Sequence, residues 1–548
     1  VARSTTFDLA AELAKPSFTP AQRDAPALVA LVVAGEEPAA TRAGPALAGL
    51  RDAGRAAIAA RFDGVDEGAK ARLVGVIGLL ARGGDGDART AVIARTGDAS
   101  SRVRRAAAIA LGKLGGDDAR AALVARWDAG DVTPDERRAL AEALGKVGGD
   151  DALARLKQLE SGEDVELGRR RDRALLMADR SAKRDETSAI AVDVAPPSPV
   201  TVRLGCKPGL APLLVEELTA LRLAPQLIDS GHVELTLATP WSTLFAARLW
   251  ATAAIRIAAA AIEPLKPTRR APRLPFGIAR ADRVADPDAL AASITQTITS
   301  PAVRALLAAW TRGPIRWRLG FASGHKRSIV WRVARDVTAA APELVNDPTA
   351  TTWDVLVDDH GALELVPRRL EDPRFAWRVA DIPAASHPAV AAALAWIAEA
   401  RPGDRVWDPF CGSGVELVER ARRGPYRSLA GSDLDPVALE AARANFVAAG
   451  LAGELAVADA RTHAAGPVDL IITNPPLGSR VRLDAAALLA EALPHFARQL
   501  APGARIAWIT PAPRKTTPVA TQLGLRCTRS IAVDLGGVRG LLERWDAR

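Results

Sequence analysis

The stretch Arg405-Val-Trp-Asp-Pro-Phe-Cys-Gly-Ser-Gly414 runs from β-forming residues into a carboxylate and then into a turn with two glycines. Val406 and Trp407 favour a buried, pleated strand, and Pro409 stops it. Gly412 and Gly414 let the backbone turn tightly and approach a ligand closely. Strand, glycine turn and helix in that order open a doubly wound α/β sheet, whose ligands sit at the carboxyl ends of the strands. The alternation continues downstream. Further strands are predicted over 428–433, 454–458, 468–473 and 504–509, with helical segments between them.

The ends of these strands carry the chemistry. The glycine turn lacks the third glycine of a dinucleotide fingerprint and the lysine of a Walker loop. A carboxylate at Asp408 repels phosphate and suits a cationic ligand. Asp433-Leu-Asp435 ends the second strand, where a carboxylate can grip two ribose hydroxyls. Asp459, after the third, can accept a hydrogen bond from an adenine amino group. A nucleoside with a positively charged tail satisfies all three, and S-adenosylmethionine has that form. The predicted cofactor set is Asp408, Phe410, Gly412, Gly414, Asp433, Asp435, Asp459 and Ala460. The fourth strand ends in Asn474-Pro-Pro-Leu477. The Asn474 side-chain oxygen and the Pro475 carbonyl form two acceptors on a loop that its prolines stiffen. Two acceptors aimed at an exocyclic NH₂ orient the nitrogen and draw its lone pair out of conjugation. Asn474, Pro475, Pro476 and Leu477 are the predicted catalytic loop. The histidines are scattered, and Cys206, Cys411 and Cys527 lack metal-ligand spacing, so no metal site is predicted.

With these two loops, residues 387–548 resemble class I S-adenosylmethionine-dependent methyltransferases of the amino-nitrogen type. Asp372-Pro-Arg-Phe-Ala-Trp-Arg378 and Ala384-Ala-Ser-His-Pro388 resemble the lead-in of THUMP-domain RNA methyltransferases. In that family a ferredoxin-like domain and a THUMP domain precede the catalytic one. Residues 200–255 and 256–366 are similar to those two domains in order and length, and Val345-Asn-Asp-Pro348 is similar to the THUMP end. The resemblance implies a catalytic domain over 375–548, S-adenosylmethionine as cofactor, and N2-methylation of guanosine in tRNA or rRNA in the cytoplasm. The family's loop usually ends in Tyr or Phe, which stacks on the base; Leu477 offers apolar contact alone.

Upstream, Leu111-Gly-Lys-Leu-Gly-Gly-Asp-Asp118 recurs as Leu144-Gly-Lys-Val-Gly-Gly-Asp-Asp151, a period of 33, with a weaker copy at Leu80-Ala-Arg-Gly-Gly-Asp85. Gly115-Gly116 would end one helix, and Asp117 or Asp118 would cap the next. Two short helices per repeat predict an α-solenoid that resembles HEAT-like repeats over 25–180. Residues 181–199, rich in proline and small polar residues, read as a linker. The central region, 200–366, alternates strands and helices as a small α+β unit.

Charge separates the parts. Residues 1–185 carry 30 basic and 28 acidic groups, whereas 251–350 carry 15 and 7, an excess equal to the net +8 of the whole chain. A polyanion contact is therefore predicted in the middle, through Arg316, Arg318, Lys326, Arg327 and Arg332, interleaved with Trp310, Trp317 and Trp331. The near-neutral solenoid predicts a protein partner. Three cysteines in 548 residues exclude a disulfide framework and point to a reducing compartment. No run of apolar residues reaches membrane-spanning length, and the N-terminus has no apolar core behind its charge. Two other functions fit parts of the pattern. One is a DNA amino-methyltransferase, which would need a sequence-reading domain. The other is a non-catalytic RNA-binding or assembly protein, which would have no use for the intact acidic strand ends.

Overall fold

The computed structural model describes residues 8–15, 18–182, 186–257, 287–324, 326–358, 362–383, 385–476, 485–535 and 538–547. No described helix is long and apolar enough to cross a membrane.

The 33-residue repeat is a helical hairpin. Glu67–Arg82 is followed by Gly86–Ala94, Ser101–Leu114 by Asp117–Trp127, and Pro134–Val147 by Asp150–Gln158; Val165–Ala182 closes the array. The break between helices is the same in both strong copies: Gly115 and Gly148 have φ +68°, Gly116 and Gly149 +90° and +93°. Only glycine takes this left-handed backbone without strain. The capping position falls on Gly116, not on the aspartates expected there. Asp118 and Asp151 reach the preceding repeat instead, in the ion pairs Arg89–Asp118 and Arg120–Asp151, while in the weaker copy Asp85 both caps its helix and pairs with Arg55. Glycines inside the first helices set how closely the repeats stack. A Cβ on Gly78, Gly112 or Gly145 would lie 2.8, 2.9 or 2.4 Å from Ala110, Ala143 or Ala174 of the next repeat.

The central region forms one eight-stranded sheet among the described residues. Its order is Gln226–Leu227, His232–Leu237, Val200–Gly205, Thr252–Ile257, Leu363–Pro367, Trp353–Val357, Ile315–Phe321 and Leu344–Asn346. The two subdomains expected at 200–255 and 256–366 therefore share a sheet, through antiparallel pairing of Leu363–Pro367 with Thr252–Ile257. Residues 258–286, with six basic and three acidic groups, hold a part of the basic excess and lie outside the described residues. The expected linker is corrected in part. Ala189–Ile190 pairs with Thr311–Arg312, and Ser188, Ile190 and Ala191 are buried. Their short apolar run finds an unpaired edge that proline-rich composition alone does not reveal.

The C-terminal sheet has the order Glu454–Val457, Ser428–Asp433, Arg405–Asp408, Val468–Thr473, Leu500–Thr510, Arg539–Asp546 and Arg526–Asp534. The first five strands are parallel; the last two form an antiparallel edge pair. Winding reverses between Arg405–Asp408 and Val468–Thr473, which opens a crevice at their carboxyl ends. The Asp408 and Asn474 loops are neighbours for that reason. The central region docks beside them. Arg248 donates to Glu419 at 2.5 and 2.7 Å, and the Asp534 amide donates to the Pro208 carbonyl at 3.0 Å. A Cβ on Gly209 would lie 1.9 Å from the Ala532 carbonyl oxygen, so only glycine permits this approach.

Candidate active site

A cavity of about 700 Å³ opens at the crevice. Phe410, Gly412, Asp433, Asp435, Asp459, Ala460, Asn474, Pro475 and Pro476, all predicted, lie on its wall. Leu477 lies outside the described residues. Asp408 and Gly414 are not on the wall. Gly414, at φ +79°, caps the helix Val415–Arg422, and a Cβ there would meet the Phe446 ring at 3.0 Å.

Asp408 needs correction as a direct ligand group. It is fully buried behind the loop. Its Oδ1 accepts from the Phe410 amide at 3.0 Å and the Thr473 hydroxyl at 2.6 Å, so it ties the two loops together. Its Oδ2 is buried and has no partner among the described residues. Burial, reinforced by Glu416, raises its carboxyl well above the usual range. Four carboxyl groups line the cavity: Glu416, Asp433, Asp435 and Asp459. Asp433 accepts from the Gly412 amide at 2.9 Å and the Asp435 amide at 3.0 Å, which fixes the glycine turn.

Two further carboxylates are already engaged. Asp435 caps the helix Pro436–Ala449 by accepting from the Val437 amide at 2.9 Å. Asp459 receives Arg461 through Nε at 3.0 Å and Nη2 at 2.7 Å, and that guanidinium lowers its carboxyl to about 2. An adenine amino group at Asp459 would have to share it with Arg461, a cation two residues away.

Asn474 follows the strand Val468–Thr473. Its Nδ2 donates to the Ser386 hydroxyl at 2.8 Å, and Ser386 in turn donates to Glu416. This chain fixes which end of the amide faces which way. The Asn474 Oδ1 is buried and accepts no hydrogen bond among the described residues, a costly state unless a donor arrives. Ser386 and Glu416 were not among the predicted site residues. Ser386 lies in the Ala384–Pro388 motif, and the helix Val415–Arg422 that carries Glu416 follows the glycine turn directly. Burial pushes the Glu416 carboxyl up to about 7, against the opposing bond from Ser386. Cys411 is buried, and burial with the neighbouring carboxylates raises its thiol far from the reactive range. Lys207 from the central region and Leu535 and Val538 from the edge pair complete the wall.

The set suits a cationic nucleoside: acidic groups on one side, apolar wall from Phe410 and Val415, and an orphaned acceptor at Asn474.

The predicted polyanion set fares unevenly. Arg316 is corrected: it is buried, with Nη2 donating to the Glu186 carbonyl at 2.6 Å. Trp310 and Trp317 are core residues, with no exposure. Arg318 pairs with Asp354 at 2.6 Å, and Arg332 pairs with Asp288. Lys326 lies 5.0 Å over the Phe321 ring. Arg327 and Trp331 are exposed.

Known proteins resemble parts of this chain. Residues 58–135 match the family model for HEAT repeats. A tRNA (guanine(6)-N2)-methyltransferase of Thermus thermophilus is 36% identical over 157 residues, which is 28% of this chain and 47% of that protein. The ribosomal RNA small subunit methyltransferase C of Escherichia coli is 39% identical over 87 residues, 16% of this chain and 25% of its own. The chain thus spans less than half the length of these curated relatives. The crystal structure of TrmN from Thermus thermophilus superposes with a TM-score of 0.50 at 25% identity, over 64% of this chain and all of that one. Residues 376–540 match the family model described as RMKL-like, methyltransferase domain, and every residue that lines the cavity except Lys207 falls within that match.

Proposed function

We propose that this protein is an S-adenosylmethionine-dependent RNA methyltransferase that modifies an exocyclic amino nitrogen, guanosine N2 in tRNA or rRNA. The observation that carries the reading is the buried, unpartnered Asn474 Oδ1 on a proline-stiffened loop at the cavity wall. It lacks only a donor, and an amino group is one. Two relatives in sequence are named for tRNA and rRNA methylation, which supports RNA over DNA.

When bound, S-adenosylmethionine supplies a methyl group on a sulfonium, so the acceptor nitrogen can attack with its own lone pair and no strong base is required. The residues of this chain do the positioning, which is most of the catalysis in an in-line displacement. Asn474 Oδ1 and the Pro475 carbonyl receive the two amino hydrogens. Ser386 and Glu416 hold the Asn474 amide in that orientation. Glu416 and Asp433 bring negative charge to the side where a sulfonium and an ammonium are favoured. Asp408 holds the two loops at fixed spacing through Thr473. The same reading takes residues 200–366 as ferredoxin-like and THUMP-like units that present the RNA, and puts the protein in the cytoplasm with its substrate.

Tritiated methyl transfer to total RNA and to DNA, both from a strain lacking the gene, tests the proposal. Label is expected in RNA, as N2-methylguanosine on nucleoside analysis. Label in DNA alone, or in neither, overturns it.

A further inference from the structure

The near-neutral charge of the solenoid as a whole conceals one cationic end. Its last helix, Val165–Ala182, lies against Arg327–Ala340 of the central region, and a cleft of about 540 Å³ runs between them. Arg169 and Arg173 face it from the solenoid; Arg327, Trp331, Arg332 and Arg335 face it from the central helix. Arg169 and Arg173 stand four residues apart on one helix. Arg327, Trp331 and Arg335 form a stripe with the same spacing on the other, so each set lies along one face. The buried side of the central helix is Ile329, Val333, Ala334 and Val337, so the stripe is not core.

Trp331 is the exception among the tryptophans discussed above. It is 38% exposed, while Trp310 and Trp317 have no exposure. The Arg173 guanidinium lies 5.3 Å from its ring centroid, and the ring keeps open surface. The acids nearby are partly committed. Asp172, the carboxylate on the cleft wall, is bonded by Arg171 at 2.9 Å; Asp336 takes Arg335 at 2.8 Å, and Asp288 takes Arg332. Among the described residues, Arg169, Arg173 and Arg327 have no ion-pair partner within 4 Å. A protein surface that gathers five arginines around a half-open indole holds phosphates and a flat ring side by side.

We propose that this cleft binds a single strand of RNA, with backbone phosphates on Arg169, Arg173 and Arg327 and a base stacked on Trp331, so the solenoid forms part of the RNA-binding surface. The proposal rests on the RNA reading of the catalytic domain. It assigns the array a direct share in substrate binding, where its overall charge predicts a protein partner alone.

The test uses the full chain and a fluorescein-labelled twelve-nucleotide single-stranded RNA, titrated at several salt concentrations. Arg169→Ala/Arg173→Ala removes two phosphate contacts. At about 0.7 per contact for single strands, the slope of log affinity against log salt is expected to flatten by about 1.4. Arg102→Ala/Arg105→Ala removes the same charge from exposed positions elsewhere in the array and is expected to leave the slope as it was. Trp331→Ala is expected to weaken binding roughly tenfold with the slope little changed, as lost stacking does. Circular dichroism and melting establish that each variant folds. Equal slopes in both double variants overturn the proposal. So does AMP binding as tightly as the RNA, which would make the cleft a free-nucleotide site. A polyglutamate peptide that outcompetes RNA at the same salt overturns it in favour of an acidic protein. An unchanged slope in a variant that still methylates RNA defeats the cleft alone; wild-type protein that labels no RNA defeats the substrate reading.

Discussion

Removing the Asn474 side chain isolates the chemistry from the binding. Asn474→Ala deletes a buried acceptor at the cavity wall that has no partner among the described residues, and the amino nitrogen loses its orientation. Loss of one preorganised polar group of this kind costs roughly 100-fold or more in turnover, about 2.7 kcal/mol. Ser386→Ala keeps the acceptor but frees the amide to rotate, because the 2.8 Å bond from Nδ2 is gone. One neutral hydrogen bond is worth about 1 kcal/mol, so turnover falls about 5-fold. Ser386 acts through Asn474, and its deletion in the Asn474→Ala background is expected to add almost nothing. Single-turnover transfer of tritiated methyl to RNA from the deletion strain measures all three proteins. Calorimetry with S-adenosylmethionine accompanies it and is expected to give similar affinities throughout. Near-wild-type turnover in Asn474→Ala refutes the mechanism at this loop. Full additivity in the double variant refutes the positioning role of Ser386.

The raised Glu416 carboxyl predicts a pH effect: native protein holds its proton more tightly than unfolded chain, so stability is full below about 4.5 and declines as pH rises through about 7. Glu416→Gln is expected to flatten that decline in melting temperature between pH 5 and 8, while wild-type affinity for the cationic cofactor rises over the same window. Asp404 is buried against Arg420 at 2.6 Å and Arg505 at 2.7 Å. Asp404→Ala leaves two buried guanidinium groups short of their counter-charge and is expected to cost about 3–5 kcal/mol in urea unfolding, where a small loss would contradict the burial. Gly145→Ala drives a methyl into Ala174, with its Cβ 2.4 Å from the Ala174 Cα. It is expected to destabilise the array by about 1–3 kcal/mol, read as a shifted unfolding transition, with methyl transfer little changed.

Strands and turns that depend on neighbouring residues were legible in the chain. Arg405–Asp408, Ser428–Asp433 and Val468–Thr473 form where their alternation and flanking turns put them. The glycines at 412 and 414 take the positive φ that their positions demand. The 33-residue period translates into stacked hairpins because each repeat must cover the apolar face of the next. The edge pair Arg526–Asp534 and Arg539–Asp546 escaped notice because polar residues break its apolar alternation: the first strand is largely exposed, and the second buries Glu543 and Arg544 beside Leu542 and Trp545. Burial of ionisable groups escaped for a different reason. A carboxylate at a strand end reads as a ligand group, yet Asp408 is enclosed by a loop that arrives 65 residues later through Thr473. Arg316 reads as a phosphate contact, yet it packs against a segment 130 residues away. Ser386 becomes part of the site only when Asn474 comes within reach, 88 residues on. Local sequence determines backbone conformation, since φ and ψ preferences and side-chain period act over a few residues. Which polar atom ends up buried, and which is left without a partner, depends on packing between distant segments, and only the tertiary structure decides it.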